Sequence, residues 1–123
     1  MNARILIVYT GGTIGMTEDL STGALVPFSF DHLMRNVPKI GRLGFTLDHV
    51  EMDPPLDSSD VARPIGPGWP ARSPSATTTS TGSFVLHGTD TMAYTASALS
   101  FMLTGLSKPV ILTGSSCPSA RFA

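Results

Sequence analysis

The chain has a single cysteine, Cys117, among its 123 residues. A lone thiol closes no intramolecular disulfide, and no Cys/His spacing is present that would hold a metal, so redox and zinc chemistry drop out. Long apolar runs are also missing. The longest near the start, Ile5 to Tyr9, is far too short for a bilayer span or a signal sequence, and a glycine turn follows it directly. Charge of either sign is balanced, with eight Lys and Arg against nine Asp and Glu. The basic residues are scattered, which excludes the footprint of a nucleic-acid or anionic-membrane binder. What is present is 41% apolar residues, enough for one core in one domain. The reading is a cytoplasmic globular domain with small-molecule partners and no cofactor.

Ile5-Leu6-Ile7-Val8-Tyr9 is a continuous β-rich run, the pattern of a central strand covered on both faces of a parallel sheet. Thr10-Gly11-Gly12-Thr13-Ile14-Gly15 follows, and two adjacent glycines at the end of a buried strand permit a tight turn with close ligand approach. Residues 31–37 offer a short helical pattern with Asp31 as N-cap, ended by Pro38. Residues 45–52 alternate apolar and polar as a strand with one wetter face, then lead through Pro54-Pro55 into Asp57-Ser58-Ser59-Asp60.

Phe84-Val85-Leu86-His87 is expected to be a further buried strand, with Gly88-Thr89-Asp90-Thr91 at its carboxyl end. Residues 92–103 read as an amphipathic helix, Ala96, Leu99, Met102 and Leu103 recurring at helical spacing and Gly105 stopping it. Met92 and Met102 are read as core filling. Val110-Ile111-Leu112-Thr113-Gly114 is a third apolar strand. This order argues an α/β fold, a partial doubly wound and mostly parallel sheet. Between positions 62 and 83 the pattern breaks into a Pro-, Ser- and Thr-rich run with no apolar period, longer than a compact domain ordinarily tolerates.

Three polar clusters follow three predicted strands: Thr10 to Thr13, Asp57 to Asp60, and Thr89 to Thr91. Ligands of open α/β sheets bind at the carboxyl ends of strands, so one shared crevice is the economical inference. A threonine hydroxyl needs a neighbouring base to become a nucleophile, and a developing oxyanion needs N–H donors. Gly11-Gly12 beside Thr13 offers such donors. Ser58 and Ser59 can bind a carboxylate and Asp90 an ammonium group, which together describe an amino-acid ligand. A glycine-glycine-threonine turn alone is weak evidence, because glycine turns commonly end buried strands. His87 is read as structural, and His32 and His49 as surface residues. Cys117 lacks any niche that would activate a thiol.

Thr10-Gly11-Gly12-Thr13-Ile14-Gly15, Asp57-Ser58-Ser59-Asp60 and His87-Gly88-Thr89-Asp90-Thr91-Met92-Ala93-Tyr94-Thr95-Ala96 resemble the signature segments of bacterial type I, cytoplasmic L-asparaginases. The likeness covers residues 5–61 and 84–115, roughly the first third of a full-length member. It implies hydrolysis of L-asparagine to L-aspartate and ammonia through an acyl-enzyme, without cofactor or metal. On this resemblance Thr13 is the nucleophile and Thr89 the second catalytic threonine, aligned with Asp90, which meets the substrate amino group. Asp57, Ser58 and Ser59 match the segment that binds the substrate backbone groups. Intact members of such a family are expected to be dimers or tetramers.

Two features depart from the family pattern. Members carry a tyrosine in a Gly-Tyr-Ile-Pro segment of the loop after the first motif, where this chain has Gly23-Ala24-Leu25-Val26-Pro27. The lysine that pairs with the second threonine and the aspartate lies, in members, downstream of position 123. The expectation is an incomplete amino-terminal domain, with a second, smaller domain absent.

Residues 62–83 and 116–123 read as frameshifted. Members have a tryptophan-containing helix and an acidic-tyrosine turn between the second and third motifs, and of these only Trp69 is recognisable. A coding run for G-P-T-H-W-A-R-M-A-R-T-I-A-E-R-Y-D-D, with suitable codons and one G deleted, yields the observed residues from 62 through Thr79. The family-like G-S-Q-L-P-I-G-A-I-R, treated the same way, yields residues 114–122 and makes Cys117 a frame artefact. Losing the helix is expected to bare apolar surface on Phe84 and Val85.

Two rival readings stand beside the amidohydrolase. A phosphate- or nucleotide-binding module is suggested by the glycine turn after a buried strand, although no G-x-G-x-x-G or Walker pattern is present. A non-catalytic fragment is the other.

Overall fold

A computed structural model describes residues 3–27, 44–52, 55 and 79–117. Four strands form one sheet: β1 (Arg4–Tyr9), β4 (Thr46–Glu51), β5 (Gly82–Leu86) and β6 (Val110–Thr113). Their spatial order is β4-β1-β5-β6, and every pairing is parallel. The apolar run at the start is thus a central strand, as its composition implies. A two-stranded antiparallel sheet, β2 (Met16–Glu18) with β3 (Leu25–Pro27), stands apart from it.

Register explains the core. Val8 lies between Val50 and Val85, and Val85 faces Leu112 in turn, so one face of the sheet collects apolar side chains from all four strands. Leu6, Val8 and Val85 are its buried centre, with Val50, Val110 and Leu112 packed around them. Helix α1 (Met92–Met102) connects β5 to β6, burying Thr95 and Leu99. This is the βαβ crossover expected between parallel neighbours.

Three expectations need correction here. The helix is not cleanly amphipathic: Tyr94 and Phe101 are 77% and 82% exposed, so apolar residues lie on its outer side as well. Met102, read as core filling, is 53% exposed. Val85 is not bared but 2% exposed, within the core cluster. The open surface falls on the opposite face, where Ala3, Ile5, Phe84, Pro109 and Ile111 line an apolar hollow of about 160 Å³. The helical pattern at 31–37 and the Pro/Ser/Thr run up to position 78 lie outside the described residues.

Arg4 and Asp48 tie β1 to β4 at the amino end of the sheet. The guanidinium donates to both carboxylate oxygens, at 2.5 and 3.2 Å. The pair is solvent-exposed, so it fastens register more than it stabilises.

Candidate active site

The winding of the sheet reverses between β1 and β5. From β1 the chain passes outward to β4, then returns across β1 to β5 and continues to β6. In open α/β sheets such a reversal leaves a crevice at the carboxyl ends of the two strands concerned. The segments after those two strands are Thr10-Gly11-Gly12-Thr13 and His87-Gly88-Thr89-Asp90.

The two segments touch through their backbones. A methyl on Gly12 would meet the Gly88 Cα and N at 2.6 and 2.7 Å, so only glycine permits this approach. Gly11 and Gly12 hold φ of 140° and 90°, a region that side chains rarely adopt. Thr10 adds a second tie: its N–H and its hydroxyl both donate to the Leu86 carbonyl, each at 3.1 Å. Sheet topology, glycine contact and the Thr10 bridge therefore bring the turns bearing Thr13 and Thr89 side by side.

Thr13 opens a short 3-10 turn, Thr13–Gly15, closed by the Gly15 N–H donating to the Gly12 carbonyl at 3.1 Å. Thr13 is half-buried, while Thr89 and Asp90 are exposed. Beneath the turn, Tyr9 is 4% exposed and its hydroxyl donates to the Gly15 carbonyl at 3.2 Å. Burial, and secondarily the Glu51 carboxylate, raise the Tyr9 phenol above its ordinary range.

His87 anchors the second segment. It is 4% exposed, with Nδ1 at 2.8 Å from the Gly88 carbonyl and Nε2 at 2.9 Å from the Thr95 hydroxyl. A carbonyl only accepts, so Nδ1 carries the proton and the Thr95 hydroxyl donates to Nε2. Both nitrogens are thereby occupied, the pattern of a structural histidine. The His87 N–H donates to the Thr113 carbonyl, binding the segment to β6 as well. At the helix start Thr91 occupies the N-cap without a side-chain cap bond, and its Oγ1, sealed from solvent, meets no hydrogen-bond partner among the described residues.

Asp57, Ser58 and Ser59 lie outside the described residues. His49 is exposed, as read from the sequence, and His32 lies outside the described residues. Among the described residues no group of His, Cys, Asp or Glu is placed to hold a metal, and no helix is long and apolar enough to cross a membrane. Cys117 is exposed.

Sequence reasoning missed three parts of this region. The β2–β3 hairpin has strands of only three residues, too short for a periodic signal. Its connection is closed by Asp19, whose carbonyl accepts the Gly23 N–H at 2.7 Å while its side chain accepts from Ser21. Those Ser21 hydrogen bonds hold the Asp19 carboxyl below its usual range. The Tyr9 hydroxyl and the His87–Thr95 bond were missed because both depend on contacts that spacing alone does not express.

Comparison with known proteins gives a consistent result. The family profile described as "Asparaginase, N-terminal" matches residues 4–123. L-asparaginase 1 of Escherichia coli (strain K12) is 44% identical over 123 residues, covering 95% of this chain and 35% of the relative. A glutamyl-tRNA(Gln) amidotransferase subunit of Pyrococcus horikoshii is 38% identical over 128 residues, covering 95% of this chain and 27% of the relative. The crystal structure of L-asparaginase I from Vibrio cholerae superposes with a TM-score of 0.78 at 40% identity, covering 98% of this chain and 36% of that one. The chain thus spans about a third of the length of the asparaginases it matches.

Proposed function

Because the chain belongs to the asparaginase family through that family's amino-terminal domain, we propose that it carries part of an L-asparagine amidohydrolase site, with Thr13 as nucleophile. The observation that supports this reading most is the backbone contact between Gly12 and Gly88, which sets a Gly-Gly-Thr turn against a Thr-Asp turn at the switch point of the sheet. In the proposed chemistry the Thr13 hydroxyl adds to the side-chain amide carbon, and amides of Gly11 and Gly12 stabilise the oxyanion. Ammonia leaves, and water then releases L-aspartate from the acyl-threonine. Thr89 assists proton transfer. Asp90, exposed at the mouth, pairs with the substrate ammonium group, while Asp57, Ser58 and Ser59 hold its α-carboxylate. No cofactor enters, and the place of action is the cytoplasm. Homo-oligomer formation belongs to the intact family member.

The relative from the amidotransferase supports a second reading, in which the same site withdraws amide nitrogen for transfer rather than release. The higher identity to L-asparaginase 1 favours hydrolysis. Residues 62–83 and 116–123 are proposed to be out of frame, a reading that resequencing across codons 61, 83 and 115 tests; an unbroken frame in independent clones defeats it.

The direct test of the site is ligand binding by the ¹⁵N-labelled chain. L-Aspartate is expected to shift the amide resonances of Gly11 to Thr13 and of Thr89 and Asp90 together, and Asp90→Asn to abolish the response. Shifts confined to one of the two turns, or caused equally by inorganic phosphate, defeat the amino-acid site and favour the phosphate-binding rival.

A further inference from the structure

We infer that Tyr9 is a positioning residue for the Thr13 turn, an inference that rests on the reading of Thr13 as the nucleophile. Tyr9 ends β1, one of the two strands of the sheet paired on both edges, and faces Glu51 on one side and Leu86 on the other. Its hydroxyl donates to the Gly15 carbonyl at 3.2 Å and lies 3.4 Å from the Gly12 carbonyl. Those carbonyls bracket Thr13. The backbone closes the same turn, from the Gly15 N–H to the Gly12 oxygen at 3.1 Å. Thr13 therefore rides on a turn whose two ends are tied once by backbone and once by this phenol.

The ring fixes the turn by shape as well. A methyl added to Gly15 would overlap the Tyr9 Cζ, Cε2 and hydroxyl. Gly15 is not among the glycines with positive φ, so backbone conformation alone would admit alanine there. The tyrosine ring is what demands glycine, and the turn rests directly on it. Volume filling alone would be met by phenylalanine without burying a hydroxyl, which costs free energy unless the hydroxyl is hydrogen-bonded. Here the hydroxyl is spent on the turn. A nucleophile must be held within a fraction of an ångström of its productive position, and a rigid strand-end phenol supplies that hold to the turn.

The test uses the 123-residue chain and two kinds of substitution. Tyr9→Phe keeps the ring and removes the hydroxyl. Amide hydrogen exchange at Gly15 is expected to quicken roughly fivefold, the effect of one lost hydrogen bond, with Leu6 and Val8 in β1 unchanged. The L-aspartate response of the Thr13 amide should weaken in the same variant. Gly15→Ala is expected to lower the urea midpoint in the native background and to be tolerated with Tyr9→Leu, a coupling that only direct contact produces. Unaltered exchange at Gly15 overturns the inference, as does equal quickening at Leu6 and Val8, which would make Tyr9 a plain core residue. An equal cost of Gly15→Ala in both backgrounds overturns it too. No response to L-aspartate in the unsubstituted chain would sink the amidohydrolase reading instead, leaving exchange and coupling to decide on Tyr9.

Discussion

Gly12 and Gly88 are pressed together so closely that a methyl on the first would stand 2.6 Å from the Cα of the second. Gly12 also has φ of 90°, so two separate penalties apply to any side chain there. Gly12→Ala is expected to cost about 3 kcal/mol, part backbone strain and part displacement of the neighbouring turn. Gly23 separates the two terms, since its φ is 69° but a methyl would meet nothing within 4 Å. Gly23→Ala should cost only about 1 kcal/mol. Urea midpoints for the two variants, at constant slope, check the difference. Equal costs would mean that the contact between the two turns contributes nothing.

The His87–Thr95 bond holds the Thr89-Asp90 segment onto helix α1. Thr95→Val keeps the shape of the side chain and strands the buried Nε2 without a donor. The expected loss is about 2 kcal/mol, the usual consequence of an unmet polar atom in a core. Thr95→Ser retains the hydroxyl and should lose less than half of that. Thermal unfolding of the three proteins side by side decides, and a valine variant as stable as the serine one would show that the bond carries no net stability.

Asp48 governs a modest acid sensitivity. The Arg4 side chain, by its hydrogen bond first and its charge after, holds the Asp48 carboxyl below its ordinary value of 3.8. A depressed folded-state value means stability that is in place above pH 3.8 and fades as pH falls through the lower folded value. The pair is exposed, so the effect is small and weakens further with salt. Asp48→Asn should flatten the acid limb of the stability curve in that window and leave neutral behaviour nearly unchanged. An identical acid limb in the variant would remove the pair from the account.

Much of this architecture is legible in the sequence. The run from Ile5 to Tyr9 is apolar throughout because β1 is central, with strands on both edges, and such runs reveal buried parallel strands directly. Val110 to Thr113 and the strand before His87 were readable for the same reason. Helix α1 was found but its outer face was misjudged, because Tyr94 and Phe101 are apolar at positions that happen to be exposed. Periodicity reports apolarity, not which neighbours exist to cover it. Thr13 and Thr89 were grouped by their placement after strands, a topological rule. The means of bringing their turns together, Gly12 against Gly88 and Thr10 on Leu86, are contacts between residues 76 positions apart and leave no local pattern. Tyr9 was hidden differently, since its ring reads as one more apolar residue of the strand while its hydroxyl serves the turn above.

The last prediction concerns catalysis by the 123-residue polypeptide itself. Acyl transfer from threonine requires a base and an aligned set of oxyanion donors, and groups of this kind act as a unit, so the loss of one removes most of the rate. Two groups implied by the family resemblance bear on this: the Gly23-Ala24-Leu25-Val26-Pro27 segment, set against the members' Gly-Tyr-Ile-Pro, contains no tyrosine, and the resemblance puts the lysine partner of the second threonine downstream of position 123. The β2–β3 hairpin that contains position 24 presents Leu20, Leu25 and Val26 to solvent and holds no tyrosine to substitute. Ammonia release from L-asparagine by the purified chain is therefore expected to stay at the level of a Thr13→Ala control. Under the proposed frameshifts, a version recoded in the alternative frame at 62–83 and 116–123 and extended to the length of its relatives should turn over L-asparagine, and should lose that activity with Thr13→Ala. Turnover by the 123-residue chain that disappears with Thr13→Ala would overturn this prediction, and would mean that these two turns suffice without the tyrosine or the lysine.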